Sequence, residues 1–494
     1  MTEAHLILIG GLLMAAALAA SLLARRVRLP ALVLFLGIGM LIGSDGTGWI
    51  DFDDYELARD IGIVALILIL FEGGLATSLS EIRPVLAPAI SLGTLGTIAT
   101  AVIGGLAATW LFDFSTLEGL LLGSVVAATD AAAIFGVLRG STLRRRLAQT
   151  LEGESGFNDP VAVLLVLGFI DWIEQPGYGL EDMAFGLLGR LALGLAVGAG
   201  IGWLGIQAFR RLELETVGLY PVASLTTAAL AYGAAELLGG SGFLAVYLAG
   251  LALGSASIPA KRTVTAFHDG LAWVAQVGLF LTLGLLVFPS QLGDVAVKGT
   301  LLALVLAVVA RPIAATLATA PFGFEIREQV ALGWAGLRGA IPVVLATFPV
   351  IAGVPESLEF FNIVFFAVLV STVLQGTTFI RLADRLGVTT DRPALPRPLA
   401  ETGTIRALGA EVVEYPVGEG DAIVGARVRE LGLPRAALVN VIVRGQQALP
   451  PRGSTRLEAG DRLHILVRQE AAAELPGLIE HWQDGPILTG RDQR

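Results

Sequence analysis

Leu151-Glu152-Gly153-Glu154-Ser155-Gly156-Phe157-Asn158-Asp159-Pro160 runs directly into Val161-Ala162-Val163-Leu164-Leu165-Val166-Leu167. Together they belong to an apolar run over 147–170, and about 20 such residues cross a hydrocarbon core of ~30 Å as a helix. Carboxylates at that depth cost ~2.5–3.5 kcal/mol each on insertion scales and mark function by default. Their spacing assigns them. Ser155 and Asp159 are four apart and share one helix face, while Glu154 and Asn158 share the neighbouring one. The first face offers a hydroxyl and a carboxylate, hard oxygen ligands suited to an alkali cation. Glu154, beside it, is placed to pair with an arginine. Pro160 removes an amide and frees the carbonyl of Gly156. This segment reads as a membrane helix that carries ion chemistry.

The rest of the chain agrees with a membrane body. Of 494 residues, 54% are hydrophobic and 15% charged, against roughly 25% charged in an average soluble domain. The charge concentrates late: residues 390–494 hold 14 acidic and 13 basic residues, leaving 29 and 20 in the first 389. No cysteine is present, which excludes a disulfide framework, thiolate metal sites and a cysteine nucleophile. A net charge of −10 without a basic stripe argues against nucleic-acid binding. His5, His268, His464 and His481 are scattered singly, as solvated or structural residues rather than metal ligands. Met1-Thr2-Glu3 lacks the basic start of a secretory signal, so the first apolar run is expected to be a retained helix.

Apolar runs between polar breaks predict thirteen spans, at roughly 5–24, 30–44, 60–78, 85–112, 117–138, 147–170, 183–209, 217–235, 241–255, 270–288, 300–318, 329–351 and 360–380. Loops after the odd-numbered spans carry Arg25, Arg26, Arg28, Arg83, Arg139, Arg144–Arg146, Arg210, Arg211, Lys261, Arg262 and Arg327, whereas the alternate loops hold Arg59 and Lys298. This positive-inside bias places the N-terminus outside and the C-terminal part in the cytoplasm. Residues 386–400 read as a Pro-rich linker. Short β-type runs follow at Glu411–Pro416, Ala437–Arg444 and Arg462–Arg468. Helical stretches are expected at Gly425–Leu431 and near Ala471–Trp482, giving a small cytosolic α/β domain over 401–470 and a tail over 471–494. No G-x-G-x-x-G follows a strand there, which argues against a dinucleotide-binding lobe.

Six ionisable residues fall well inside predicted spans: Glu72, Asp130, Glu154, Asp159, Arg311 and Arg338. Four acids against two arginines leave an excess that a proton or a cation must balance. Thr129-Asp130 sits among small residues, where another helix can approach closely or the backbone can unwind, and transporters place ion sites at such breaks. Plainer readings stand beside these, except for Glu154. They make Asp130 and Asp159 polar groups between helices, which two such carboxylates in one chain argue against, and Glu72 a solvated carboxylate near the membrane surface, the lesser reading. Arg311 reads equally as a snorkelling helix anchor, and Arg144–Arg146 as a topology signal. Arg338 reads as a counter-ion, because a permanently charged guanidinium repels cations.

Phe71-Glu72-Gly-Gly, Thr129-Asp130, Glu154-Ser155-Gly-x-Asn158-Asp159-Pro160 and Gly336-Leu-Arg338-Gly-Ala together resemble the monovalent cation/proton antiporter superfamily, in its NhaP-type branch, over about residues 1–385. The resemblance implies an all-α polytopic membrane protein of about 13 helices, with NhaA-like inverted repeats and discontinuous helices crossing beside the ion site. It further implies a homodimer, a mobile core and elevator-type movement. It makes Asp159 the principal cation ligand and proton carrier. Ser155, Glu72 and the Thr129 carbonyl would complete the monovalent-cation shell, with Asp130 nearby, and Glu154 and Arg338 would form a core ion pair. Asn158, standing where the electrogenic branch has a second aspartate, goes with electroneutral exchange. The C-terminal part resembles the TrkA-C lobe of potassium-conductance regulatory domains. That lobe implies a small cytosolic ligand such as a nucleotide or cyclic dinucleotide, and no other cofactor.

The function expected is potassium/proton antiport across a bacterial inner membrane, with sodium/proton antiport as the alternative. The chain is not expected to be an enzyme. An intramembrane aspartyl protease using Asp130 and Asp159 would leave Ser155 and Asn158 idle. A tail-gated potassium channel lacks its Thr-Val-Gly-Tyr-Gly filter here.

Overall fold

A computed structural model describes residues 3–27, 31–129, 142–211, 214–390, 398–399, 410–445, 447–468, 471 and 474–485. The chain divides into two units, 1–389 and 390–494.

The first unit is helical. Its opening helices are α1 (Glu3–Val27), α2 (Ala31–Ile42) and α3 (Tyr55–Ala76). Helix α4 (Leu79–Ile82) comes next. The run expected as one helix over 85–112 is one helical run, Arg83–Phe112, in which a 3₁₀ turn at Arg83–Val85, α5 (Leu86–Ser91), a π turn at Leu92–Gly96 and α6 (Thr97–Phe112) follow one another. Helix α7 (Thr116–Val125) starts with a capping box between Ser115 and Glu118 and stops at Val126. Then come α8 (Arg145–Glu174), α9 (Leu180–Arg211), α10 (Leu219–Leu237), α11 (Gly242–Ser255) and α12 (Lys261–Leu285). A second π turn, Leu306–Ala310, separates α13 (Leu292–Val305) from α14 (Arg311–Thr319). Pro312 explains its place, because a proline has no amide to give the carbonyl four residues back. The predicted span 329–351 is likewise two helices, α15 (Ile326–Trp334) and α16 (Ala340–Ala352), and α17 (Ser357–Leu386) closes the unit.

Among the described residues, six helical runs are long and apolar enough to cross a membrane by length and composition: Arg83–Phe112, Arg145–Glu174, Leu180–Arg211, Lys261–Leu285, Pro289–Phe322 and Ser357–Leu386. Shorter apolar helices such as α2, α11 and α16 pack among them. Helix α8 is the most enclosed of the long runs, buried along almost its whole length from Val161 to Ile170, whereas α9 is largely exposed. Helices α3 and α11 meet at backbone distance. A Cβ on Gly74 would strike the Tyr247 carbonyl, and one on Gly250 the Phe71 carbonyl.

The second unit is a five-stranded antiparallel sheet of β1 (Pro398–Leu399), β2 (Ala410–Pro416), β3 (Ala437–Arg444), β4 (Gln447–Leu449) and β5 (Arg462–Arg468), in the order β1-β2-β5-β3-β4. Its core gathers Val413, Tyr415, Ile442, Leu463, Ile465 and Val467. The helix expected at Gly425–Leu431 is only a 3₁₀ turn, Val428–Glu430. Gly425 adopts φ +83° and Arg427 bridges to Arg456, so the backbone on the N-terminal side is committed elsewhere. Helix α18 (Leu475–Asp484), assigned above to a tail, belongs to this core. Trp482 is fully buried, packs edge-on to Tyr415 at 5.3 Å and donates to the Leu431 carbonyl at 2.8 Å.

Candidate functional site

Helix α8 brings the quoted motif to a crossing. After α7 stops, Val126–Thr129 continues without helical geometry and lies buried against α8. Asn158 reaches across from α8 and donates through Nδ2 to the Thr129 carbonyl at 3.0 Å and to its Oγ1 at 2.7 Å. The Thr129 hydroxyl in turn donates to Glu154 Oε1 at 3.2 Å. One amide therefore fixes the direction of a non-helical carbonyl, which keeps a second lone pair. Among the described residues, Asn158 Oδ1 is buried with no hydrogen-bond partner. Buried polar atoms without partners are rare and mark functional positions.

Glu154 is ion-paired through Oε1 with Arg311 Nη2, both side chains being almost wholly enclosed. The expected partner, Arg338, is engaged elsewhere, and that pairing is corrected here. Arg338 occupies the break between α15 and α16, where its Nε donates to the Val126 carbonyl at 2.8 Å and its Nη1 to Ser371 Oγ at 3.3 Å. Its own carbonyl accepts from Thr372 Oγ1 at 2.9 Å. It thus neutralises the carbonyl end of the interrupted helix α7, where a cation is favoured by the helix dipole. Arg311 wins Glu154 because it opens α14 directly after the π turn. Gly336 lets its side chain pass, since a Cβ there would overlap Arg311 Nε, Cδ and Cγ. The anchor reading of Arg311 missed this; the signal was its place beside Pro312, well inside an apolar run.

Asp159 is buried (4% exposed) and Ser155, one turn away, is half-buried. Glu72 is half-buried on α3, and α3 packs on α8. Asp130 lies outside the described residues. A close approach supports the motif from behind. Gly93, in the first π turn, stands where a Cβ would be 2.9 Å from the Glu154 carbonyl and 3.1 Å from the Asn158 amide. π turns inside helices recur at functional sites; both of these went unread in the sequence.

Two of the arginines expected to be only a topology signal have specific partners. Arg146 donates to the Phe322 carbonyl at 2.6 Å and lies 3.9 Å over the Phe324 ring, while Arg144 sits 3.8 Å from Glu328. Lys261 donates to the carbonyls of Gly254 and Ala256 at the end of α11. His268 is a buried structural residue, 2.8 Å from Ser224 Oγ and against Phe71.

Buried carboxylates on an enclosed helix, set beside two interrupted helices, fit a membrane ion carrier, and the chain continues into a small C-terminal sheet domain. The chain belongs to the sodium/hydrogen exchanger family, whose transmembrane region matches residues 13–385, and a TrkA-C domain matches residues 412–476. It is 39% identical over 480 residues to the K(+)/H(+) antiporter NhaP2 of Shewanella baltica, covering 96% of this chain and 82% of that protein. It is 35% identical over 491 residues to the K(+)/H(+) antiporter NhaP of Alkalimonas amylolytica, covering 98% and 85%. In fold it is similar to the sodium proton antiporter MjNhaP1 of Methanocaldococcus jannaschii. That likeness has a TM-score of 0.67 and 24% identity, covering 77% of this chain and 99% of that one. The chain is a cation/proton antiporter of this family.

Proposed function

We propose that the chain exchanges potassium for protons, one for one, across a bacterial inner membrane. The observation that carries this is the placing of buried Asp159 one turn from Ser155, on a helix pinned to the non-helical Val126–Thr129 segment. A carboxylate at that depth needs a proton or a cation to balance it. Asp159 then takes either, with Ser155, Glu72 and the free lone pair of the Thr129 carbonyl completing the cation's oxygen shell and Asp130 alongside. Competition for one carboxylate couples the two fluxes. Glu154 is neutralised by Arg311, and Asn158 adds no charge, which supports an electroneutral cycle.

Thirteen crossings with the N-terminus outside, a homodimer and an elevator movement of the core against α3 and α11 complete the proposal. The TrkA-C lobe, cytoplasmic in this arrangement, is a regulatory unit for a small ligand such as a nucleotide or cyclic dinucleotide. Potassium is preferred to sodium because the two relatives named above, each covered over more than four-fifths of its length, are K(+)/H(+) antiporters. Reconstituted protein with an internal pH dye tests this. Potassium pulses are expected to move protons more effectively than sodium pulses. Exchange with sodium alone would overturn the substrate and leave the site.

A further inference from the structure

Helix α8 carries Gly153, Gly156 and Asp159 at intervals of three, so they line one stripe of its surface. Gly153 and Gly156 lie between Asp159 and the end of α8 that begins at Arg145. Both glycines are covered by side chains from other elements. A Cβ on Gly153 would meet Ala89 at 2.8 Å and Ile82 at 3.4 Å. A Cβ on Gly156 would overlap Cε1 and Cζ of Tyr247, so the phenol end of that ring lies flat in the slot. Tyr247 also faces Phe157 edge-on, with ring centroids 6.2 Å apart. Ile82, Val85, Tyr247 and Leu251 form a small apolar cluster of their own, separate from the main core.

Tyr247 stands between the two halves of the ion site. Its carbonyl rests on Gly74 of α3, two residues beyond Glu72, while its ring rests on α8, one turn from Asp159. The side chain is 3% exposed, yet among the described residues its hydroxyl has no hydrogen-bond partner. Leaving a buried hydroxyl unpaired is costly, and a phenylalanine would fill an apolar seal without that cost.

We propose that Tyr247 is the gating residue between Asp159 and the arginine-bearing face, a reading that rests on the exchange function above. Its ring plugs the glycine groove along α8, with Ile82, Val85 and Leu251 sealing around it. Its hydroxyl oxygen is held in reserve for the cation as it passes between that face and Asp159. Tyr247 acts on the path and on cation capture, and Asp159 keeps the proton chemistry.

The chain has no cysteine, so Val85→Cys introduces a single thiol into the seal. In lipid nanodiscs, where both faces meet the reagent, a membrane-impermeant maleimide should label it slowly. Tyr247→Ala should abolish that protection and Tyr247→Phe should keep it. Fast labelling with Tyr247 present, or undiminished protection in folded Tyr247→Ala, overturns the plug. In proteoliposomes, Tyr247→Phe should raise the cation KM about tenfold at unchanged kcat, through the loss of one oxygen that meets the cation on its path. An unchanged KM overturns the role of the hydroxyl, and this arm stands even where the alanine variant does not fold. If the wild type moves no cation, the exchange reading fails on its own, while the labelling still reports the seal.

Discussion

Of the two fully buried guanidiniums, Arg311 and Arg338, Glu154 pairs with Arg311. Breaking a buried pair by removing one charge typically costs about 3–5 kcal/mol, because the other charge is left unpaired in a medium that cannot solvate it. Glu154→Gln or Arg311→Met should therefore lower the thermal stability of purified protein substantially. A double-mutant cycle should show strong coupling between Glu154 and Arg311 and little between Glu154 and Arg338; the reverse order would reinstate the expected pair. Residue chemistry alone could single out Glu154, Asp159 and both arginines, since all interrupt apolar runs. It could not choose between the arginines. That choice is made by the turn that aims Arg311 and by the carbonyl end of α7 that Arg338 occupies.

At the scale of elements, the interruptions decide the site. Helix α7 ends at Val126, the α15–α16 break spans Ala335–Gly339, and the two meet through Arg338. Apolar length made the runs legible, while the breaks inside them left weaker traces: Pro312 after one π turn, glycines around Gly93 and Gly336, and the Gly336-Leu-Arg338-Gly motif. A helix and its interruption have the same hydropathy, so only packing shows where hydrogen bonding lapses. Gly336 offers a test. Gly336→Ala would push a methyl into the Arg311 side chain and should cost about 1–3 kcal/mol, the usual range for overpacking. Thermal melting in detergent measures it, and the loss should shrink sharply in an Arg311→Met background. Equal losses in both backgrounds would show that Gly336 does not make room for Arg311.

Across the whole molecule, a helical membrane body is joined in sequence to a small sheet lobe whose stability should depend on pH through Asp461. Asp461 is fully buried, which by itself pushes its carboxyl up, but two bonds from Arg444 at 2.8 and 2.9 Å and the Glu458 amide outweigh this and hold it below the usual range. A lowered folded pKa means stability that is present above the unfolded value of about 3.9 and lost as pH falls through the folded one. The lobe of the wild type should thus lose stability below about pH 4 more steeply than that of Asp461→Asn, followed by unfolding curves at successive pH values; parallel curves would refute the linkage. The lobe's strands were legible as β-type runs, whereas α18 was undervalued because Trp482 declares its burial only when Leu431 and Tyr415 come against it. The central claim concerns Asp159, and the most direct measurement is potassium-driven proton movement into proteoliposomes for the wild type and Asp159→Asn at matched folding. The wild type should exchange and the variant should be silent while melting as a folded protein; exchange retained in Asp159→Asn would contradict the account.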